Sequence, residues 1–416
     1  MLNNIKSKKI FSNIFKHLKE KVKLNISRYN KALQSKLDLK FKDFKYFGLI
    51  TKFNDKYKSH IENTNIACMN LNNCNIKNSG MMYLNQIEFS NLKELILSNN
   101  EIGNIGKLEI SNFNFDNLEL LSFEHNHIRD LSILTKADFK KLKILNLDHN
   151  ALSDINILSE IKIHKLEKLI LSGNTIKDLE VLTKMNLDNL TELILNRNMI
   201  KNIDTLEKVK IKGLEILDLS VNMIENIEVL SKVEFNNLKS LNLRFNKIEN
   251  INSLEQANFE KLEILNLGEN NINEIEPLEK AKFKGLKELY LNEIFKEFNN
   301  IEAPLFSNFE NLEILDYSNS NIEGIYNEDE KAKLEKLKIL KFQGNNLEHI
   351  EELKTLNLKE LKELDLSCNN IYDISVLEQI KFENLEKLDI SGNKFDKDEN
   401  KEILNILKNK IKEFII

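Results

Sequence analysis

The sequence repeats itself every 24 residues through its central part, and this period limits what the chain can fold into. A leucine opens each copy, and the register holds without slippage at Leu142, Leu166, Leu190, Leu214, Leu238, Leu262 and Leu286. A fixed period of roughly 20–50 residues is typical of solenoids, in which each unit packs only against its neighbours. The chain contains 2 prolines and 11 glycines and has no linker-like stretch. We therefore expect one continuous stack of repeats.

Each copy follows the pattern Leu-x-x-Leu-x-Leu-x-x-Asn-x-Ile, as at Leu166, Leu169, Leu171, Asn174 and Ile176. The alternation of leucines predicts a short strand with leucines inward and the intervening residues outward. The asparagine amide can bond backbone groups of adjoining turns. The predicted asparagine ladder comprises Asn100, Asn126, Asn150, Asn174, Asn198, Asn222, Asn246 and Asn270. A predicted aromatic spine lies three residues before the opening leucines, at Phe89, Phe115, Phe139, Phe235, Phe259, Phe283, Phe309 and Phe382.

This pattern resembles the leucine-rich repeat family, with about fourteen copies over residues 63–396, the first of them degenerate at Ile66. The resemblance implies an α/β solenoid: a horseshoe with a parallel concave β-sheet and short helical or irregular return segments. The copies at residues 286–336 are irregular, because Ile294 and Ser320 replace the ladder asparagine. An insertion near residues 295–303 is either a binding loop or a tolerated bulge.

Both ends carry apolar residues at helical spacing. Residues 397–416 predict a C-terminal capping helix. Residues 1–62 predict a basic helical N-terminal cap, since residues 1–60 hold 16 Lys and Arg against 4 Asp and Glu. The order of apolar residues at the N-terminus also resembles the F-box, although Lys8-Lys9 stand where the usual Leu-Pro is expected. That resemblance implies contact with a Skp1-like adaptor of a cullin-based ubiquitin ligase through Ile10, Ile14, Phe15, Leu18 and Leu24.

Motifs that carry common enzyme chemistry are missing from the sequence. It has no glycine-rich phosphate loop, no Gly-x-Ser-x-Gly elbow and no Cys-x-x-Cys pair. We therefore expect neither enzymatic activity nor a cofactor. The one cluster with metal-ligand chemistry in neighbouring copies is Glu124, His125, His127, Asp148 and His149. We interpret these as solvated residues at the edge of the sheet and predict no metal site; a metal-dependent enzyme is the alternative that they leave open.

The compartment follows from the cysteines, the charge and the apolar runs. Cys68, Cys74 and Cys368 are odd in number and are interpreted as free thiols. The N-terminal residues do not resemble a secretory signal, and no apolar run approaches the ~20 residues of a membrane helix. We expect a cytoplasmic protein without membrane contact.

Residues 61–416 carry a net charge of −17, which disfavours nucleic-acid binding.

The outward residues of the predicted strands define the candidate binding surface. Isoleucines cluster in the first half of the repeats, near Arg, Phe and Tyr side chains that are enriched at protein interfaces. The predicted partner-binding residues are Ile144, Ile170, Ile194, Arg197, Ile216, Asp218, Asn242, Arg244, Phe245, Asn266 and Tyr290. The sequence thus favours a protein-protein interaction scaffold or adaptor; the alternative is an F-box-type substrate receptor for ubiquitination.

Overall fold

A computed structural model describes residues 49–50, 52–59, 61, 66–89, 91–107, 115–294, 301–304, 308–326 and 334–416. The chain forms two compact units, Met1–Leu166 and Glu167–Ile416. The residues of the predicted F-box-like module, Ile10, Ile14, Phe15, Leu18 and Leu24, lie outside the described residues. Within the described part of the chain, no helix has the length and apolar composition needed to cross a membrane.

In the first unit the leucine alternation produces short parallel strands. The strands are β1 (Cys68–Asn70), β2 (Glu94–Ile96), β3 (Leu120–Ser122), β4 (Asp138–Phe139), β5 (Ile144–Asn146) and β6 (Lys162–Ile163). Strands β1, β2, β3 and β5 pair side by side in sequence order, while β4 pairs with β6 on its own. Helix α1 (Lys77–Leu84) connects β1 to β2 and buries Met81 and Leu84.

The second unit continues the same construction. Its strands are β7 (Lys168–Ile170), β8 (Glu192–Ile194), β9 (Ile216–Asp218), β10 (Ser240–Asn242), β11 (Ile264–Asn266), β12 (Glu288–Tyr290), β13 (Ile301–Pro304), β14 (Ile314–Asp316), β15 (Ile322–Tyr326), β16 (Ile339–Lys341), β17 (Glu363–Asp365), β18 (Lys387–Asp389) and β19 (Glu413–Ile415). Apart from β13 and β15, neighbouring strands pair in parallel and in sequence order. The expected parallel sheet is therefore confirmed.

The return segments are mostly single turns of 3₁₀-helix. They span Ile105–Lys107, Phe115–Asn117, Ser132–Lys136 and Asn156–Glu160 in the first unit, and Glu180–Lys184, Asp204–Lys208, Glu228–Ser231, Asn252–Glu255 and Glu351–Thr355 in the second. Two copies form short α-helices instead, α2 (Pro277–Lys280) and α3 (Ser375–Gln379). An Asp or Asn side chain commonly opens the turn by accepting a backbone N–H two residues later, as Asp178 does from Glu180 at 2.8 Å.

The asparagine ladder ties adjacent copies together. The side-chain amide of Asn222 donates to the carbonyl oxygens of Leu195 in the preceding copy, at 3.1 Å, and of Leu219 in its own copy, at 3.0 Å. Its Oδ1 atom accepts the backbone N–H of Ile200 at 3.0 Å. This one buried side chain therefore satisfies backbone groups of two adjacent copies.

The phenylalanine spine is buried as predicted. In the second unit the rings of Phe259 and Phe283 stack with centroids 6.0 Å apart, and those of Phe283 and Phe309 with centroids 6.5 Å apart. In the first unit Phe115 stacks on Phe139 at 5.4 Å. Offset ring stacking contributes about 0.5–1.5 kcal/mol per pair beyond area burial, so the spine stabilises the side of each copy opposite the strands.

The irregular copies build a second small sheet that the sequence did not predict. Strands β13 and β15 pair in parallel, with a bulge between Ile301 and Glu302. Ser320 partly substitutes for the ladder asparagine, since its hydroxyl donates to the carbonyl oxygen of Leu291 at 2.8 Å. Residues 295–300 of the predicted insertion lie outside the described residues.

The C-terminal segment contains the predicted helix and one additional strand. Helix α4 (Lys401–Lys410) buries Leu404 and Leu407. The backbone becomes extended at Ile411, and β19 then pairs with β18 in the main sheet of the second unit. The sequence predicted a helix alone, because alternation over three residues is too short to distinguish a strand from the end of an amphipathic helix.

Candidate functional site

The strands of the second unit present a regular outward face. Most of them bury the middle leucine and leave the first and third residues half-buried, as in Lys168–Ile170 and Ile216–Asp218. Successive side chains of a strand point to opposite sides, so the first and third residues share one face. Parallel pairing in register then aligns these residues into two columns across the sheet.

Three isoleucines lie on three adjacent strands of this face and are here called the isoleucine cluster. Ile170 and Ile194 are register partners in β7 and β8, and Ile216 lies in β9 opposite Glu192 of β8. All three side chains are half-buried, with the leucines between them fully buried beneath. An apolar group that is already partly desolvated and held by a strand loses little conformational entropy when a partner covers it.

A second apolar cluster lies further along the same face, and the sequence analysis found only its tyrosine. Ile264, Ile314 and Ile339 occupy the first position of their strands near Tyr290, and all four side chains are half-buried. The signal that the sequence offered was isoleucine at the first strand position, where neighbouring copies have Ser240, Glu288 and Glu363. The Tyr290 hydroxyl donates to Glu288 at 2.9 Å. Burial and the neighbouring Glu288 raise the pKa of Tyr290, so the hydroxyl remains a donor.

The loops that follow the strands of the second unit carry larger side chains. Phe245 is 52% exposed although it is aromatic. Arg197 and Phe245 adopt positive φ angles of 56° and 55°, and their backbone N–H groups donate to Ser220 and Gly268 at 2.9 Å each. Arg244 forms an ion pair with Glu269. The backbone that carries these side chains is therefore held by the next copy.

The polar residues predicted for the face also form hydrogen bonds that stabilise the backbone. Side-chain oxygens of Asp218, Asn242 and Asn266 accept the backbone N–H two residues later, at 3.0, 3.1 and 3.0 Å respectively. Each bond closes a small turn at the end of its strand. Asn242 thereby shapes the loop that carries Arg244 and Phe245.

Ion pairs between residues that directly precede neighbouring strands flank the face at three places. Lys239 pairs with Glu215 at 2.8 Å, Lys287 with Glu263 at 2.9 Å, and Lys338 with Glu313 at 2.6 Å. Exposed pairs of this kind contribute little to stability, because solvent screens them. Their main effect is to neutralise charge beside the apolar clusters.

The first unit contains the remaining predicted residues. Ile144 of β5 is half-buried and lies opposite Leu120 of β3. The sequence also pointed to five residues of types that bind metal ions. Three of them, His125, Asp148 and His149, come together, with one ligand atom from each within 4.8 Å of the others. The Glu124 carboxylate lies 3.8 Å from Nε2 of His125. His127 is not part of this group. The three cysteines are free, as predicted.

Comparison with known protein families identifies the repeat. The model for "Leucine Rich repeats (2 copies)" matches residues 359–401, and the model for "Leucine Rich repeat" matches residues 90–110 and 236–251. No curated protein sequence matches the chain.

Solved structures of low sequence identity share the fold. An internalin from Listeria monocytogenes is similar with a TM-score of 0.61 and 24% identity, covering 76% of this chain and 84% of the internalin. A leucine-rich-repeat protein from Leptospira interrogans has a TM-score of 0.56 and 24% identity, covering 80% and 91%. A plant peptide hormone receptor in complex with RGF2 has a TM-score of 0.50 and 20% identity, covering 76% and 53%.

Proposed function

We propose that this chain, a leucine-rich-repeat protein, is a protein-interaction scaffold that binds a partner on the strand face of its second unit. The observation that carries the proposal is the isoleucine cluster of Ile170, Ile194 and Ile216, together with the exposed Phe245 in the loop that follows β10, the strand next to β9. Interfaces are built around apolar and aromatic anchors with a polar rim, and the flanking ion pairs supply such a rim.

The spacing of the two apolar clusters indicates the size of the partner. Ile170 lies in β7 and Ile339 in β16, seven strand spacings apart in the sheet order. At about 4.8 Å per spacing, the two clusters together extend over about 30 Å. A folded domain or an extended peptide of about ten residues covers that length, whereas a small molecule does not. A protein or peptide partner is therefore favoured.

The proposed role is binding rather than catalysis, since the sequence has none of the common phosphate, acyl-transfer or paired-cysteine motifs. The solved plant receptor in complex with RGF2 is one leucine-rich-repeat fold that binds a peptide hormone. Ile144 of the first unit remains a predicted contact residue. We also propose a cytoplasmic location, which rests on the sequence features of the cysteines and the N-terminal residues.

Site-specific photocrosslinking tests the proposal. A benzophenone amino acid is placed at position 194 or at position 372 of the full chain, and crosslinked proteins from a lysate are identified by mass spectrometry. Tyr372 is the control because it is 49% exposed, more than the half-buried Ile194, but it lies in the return segment against His349. We expect a specific partner at position 194 and none at position 372.

The identified partner is then purified and its affinity for single variants is measured. Ile194→Asp and Phe245→Ala are expected to weaken binding at least about tenfold, which corresponds to about 1.4 kcal/mol, while Tyr372→Ala leaves it unchanged. Equal affinity for all the variants, or a crosslink at position 372 alone, contradicts the proposal.

The ubiquitin-ligase alternative rests on the sequence of residues 1–62, since its contact residues lie outside the described part of the chain. It is tested by co-purification of a Skp1-like adaptor with the full chain. Triple substitution with Ile10→Glu, Phe15→Glu and Leu18→Glu is expected to abolish that association if the module is an F-box. The triple variant should still bind the partner of the strand face, so that loss of the adaptor can be told apart from loss of the strand-face interaction.

A further inference from the structure

Two histidines of adjacent copies stack on each other in the first unit. The rings of His125 and His149 have centroids 4.2 Å apart and planes 25° apart. Both residues adopt the same left-handed backbone, with φ angles of 49° and 47°. The N–H of His125 donates to the carbonyl oxygen of Asp148 at 2.8 Å, which fixes the two loops relative to each other. The side chains therefore start from a rigid pair of backbone positions.

Carboxylates surround the histidine pair. Oδ1 of Asp148 lies 2.7 Å from Nδ1 of His149, so these two ligand atoms already face each other. Glu124 lies 3.8 Å from Nε2 of His125 and is itself held by the side-chain amide of Asn146 at 3.1 Å. Two imidazoles and two carboxylates therefore lie close together at this point of the first unit.

We propose that His125, Asp148 and His149 bind a divalent first-row transition-metal ion such as Zn²⁺. Two imidazole nitrogens and a carboxylate oxygen form a donor set that suits these ions, and Glu124 is close enough to complete a tetrahedral site. The ligand atoms already lie within 4.8 Å of one another. The side chains of His125 and His149 are 44% and 41% exposed, so rotation about their side-chain bonds can bring the atoms to coordination distance.

The bound ion acts as a clamp between two copies. His125 follows β3 and His149 follows β5, so coordination links two neighbouring loops of the first unit. A ligand that binds only the folded state stabilises that state in proportion to the logarithm of its concentration. The proposal predicts a rise in unfolding temperature with Zn²⁺, and it is independent of the strand face of the second unit.

Isothermal titration of the full, chelator-treated chain with ZnCl₂ tests the site. His125→Asn and His149→Asn are suitable variants, because asparagine tolerates the left-handed backbone and already occupies the equivalent position at Asn99, with φ of 55°. Each is expected to weaken Zn²⁺ binding roughly 100-fold and to abolish the thermal shift. Asp148→Asn is expected to weaken binding at least about tenfold.

His164 provides the matched control. It is an exposed histidine of the same unit, and its Nε2 lies 3.0 Å from the carboxylate of Asp138. This pair contains one imidazole, whereas the proposed site contains two. His164→Asn is expected to leave both the affinity and the thermal shift unchanged. Absence of Zn²⁺ binding by the unsubstituted chain, or a thermal shift that survives both His125→Asn and His149→Asn, overturns the proposal.

Discussion

The backbone N–H of Ile200 donates to Oδ1 of Asn222 at 3.0 Å, across 22 residues of sequence. Both residues are buried, so no water replaces this bond if the side chain is removed. Asn222→Ala removes the acceptor of that N–H and one of the two amides that bond the carbonyl oxygen of Leu195, since Asn198 remains at 2.9 Å. We expect the free energy of unfolding to fall by about 2–4 kcal/mol, measured by urea denaturation followed by circular dichroism.

Asn237 offers the comparison for that experiment. Its amide also bonds the preceding copy, donating to the carbonyl oxygen of Lys212 at 3.0 Å, but the bond is exposed to solvent. Asn237→Ala is expected to change stability by no more than about 0.5 kcal/mol. Equal losses for the two variants would show that burial of the ladder does not determine its contribution.

Val221 adopts a φ of 55° and is the β-branched residue among the described residues with positive φ. The left-handed region costs an L-residue about 1–2 kcal/mol and is least costly for glycine and asparagine. Val221→Asn is therefore expected to raise the unfolding free energy by about 1 kcal/mol. Val221→Thr keeps the β-branch and should give no gain; if threonine stabilises as much as asparagine, backbone strain is not the cause. Differential scanning calorimetry measures both variants.

Tyr317 and Phe342 occupy strand-end positions that hold leucine in most copies, and their rings stack at 5.4 Å with an angle of 10°. Both side chains are 0% exposed. Phe342→Ala leaves a cavity in this packing and is expected to cost about 3–5 kcal/mol of unfolding free energy. Phe245→Ala removes the same atoms from an exposed site and should stay within about 0.5 kcal/mol. A loss below about 1 kcal/mol for Phe342→Ala would argue against tight packing here.

Partial burial, the hydrogen bond to Glu94 and the negative charge of Glu94 together raise the pKa of the Cys68 thiol to about 11. The thiol is the neutral form, so a group that disfavours negative charge keeps it protonated and slow to alkylate at pH 8. Glu94→Gln removes the charge, lowers the pKa and is expected to make iodoacetamide labelling several-fold faster. Mass spectrometry measures the rate in a chain carrying Cys74→Ser and Cys368→Ser.

Glu119→Gln is the control for the thiol experiment. Glu119 is a carboxylate of the neighbouring copy that lies 4.0 Å from Lys93. Its substitution should leave the labelling rate of Cys68 as it was. Identical rates for Glu94→Gln and the unsubstituted chain would mean that burial alone protects the thiol.

The repeat itself was readable from the sequence, because local rules determine it. Alternating leucines specify a three-residue strand, and the asparagine eight residues after the opening leucine specifies the turn that follows. Both recur at a fixed period, so the strand positions, the ladder and the phenylalanine spine could be placed in advance. The same local pattern also identified the face on which Ile170, Ile194 and Ile216 lie.

The tertiary structure decided the relationships between copies. Stacking of His125 on His149, the contact of Cys68 with Glu94 and the second apolar cluster join residues about 24 or more positions apart. Such contacts depend on strand register, left-handed loop geometry and side-chain rotation, none of which a one-dimensional pattern specifies. Strand β19 and the small sheet of β13 and β15 were likewise unpredictable, because each forms only when a partner strand lies beside it.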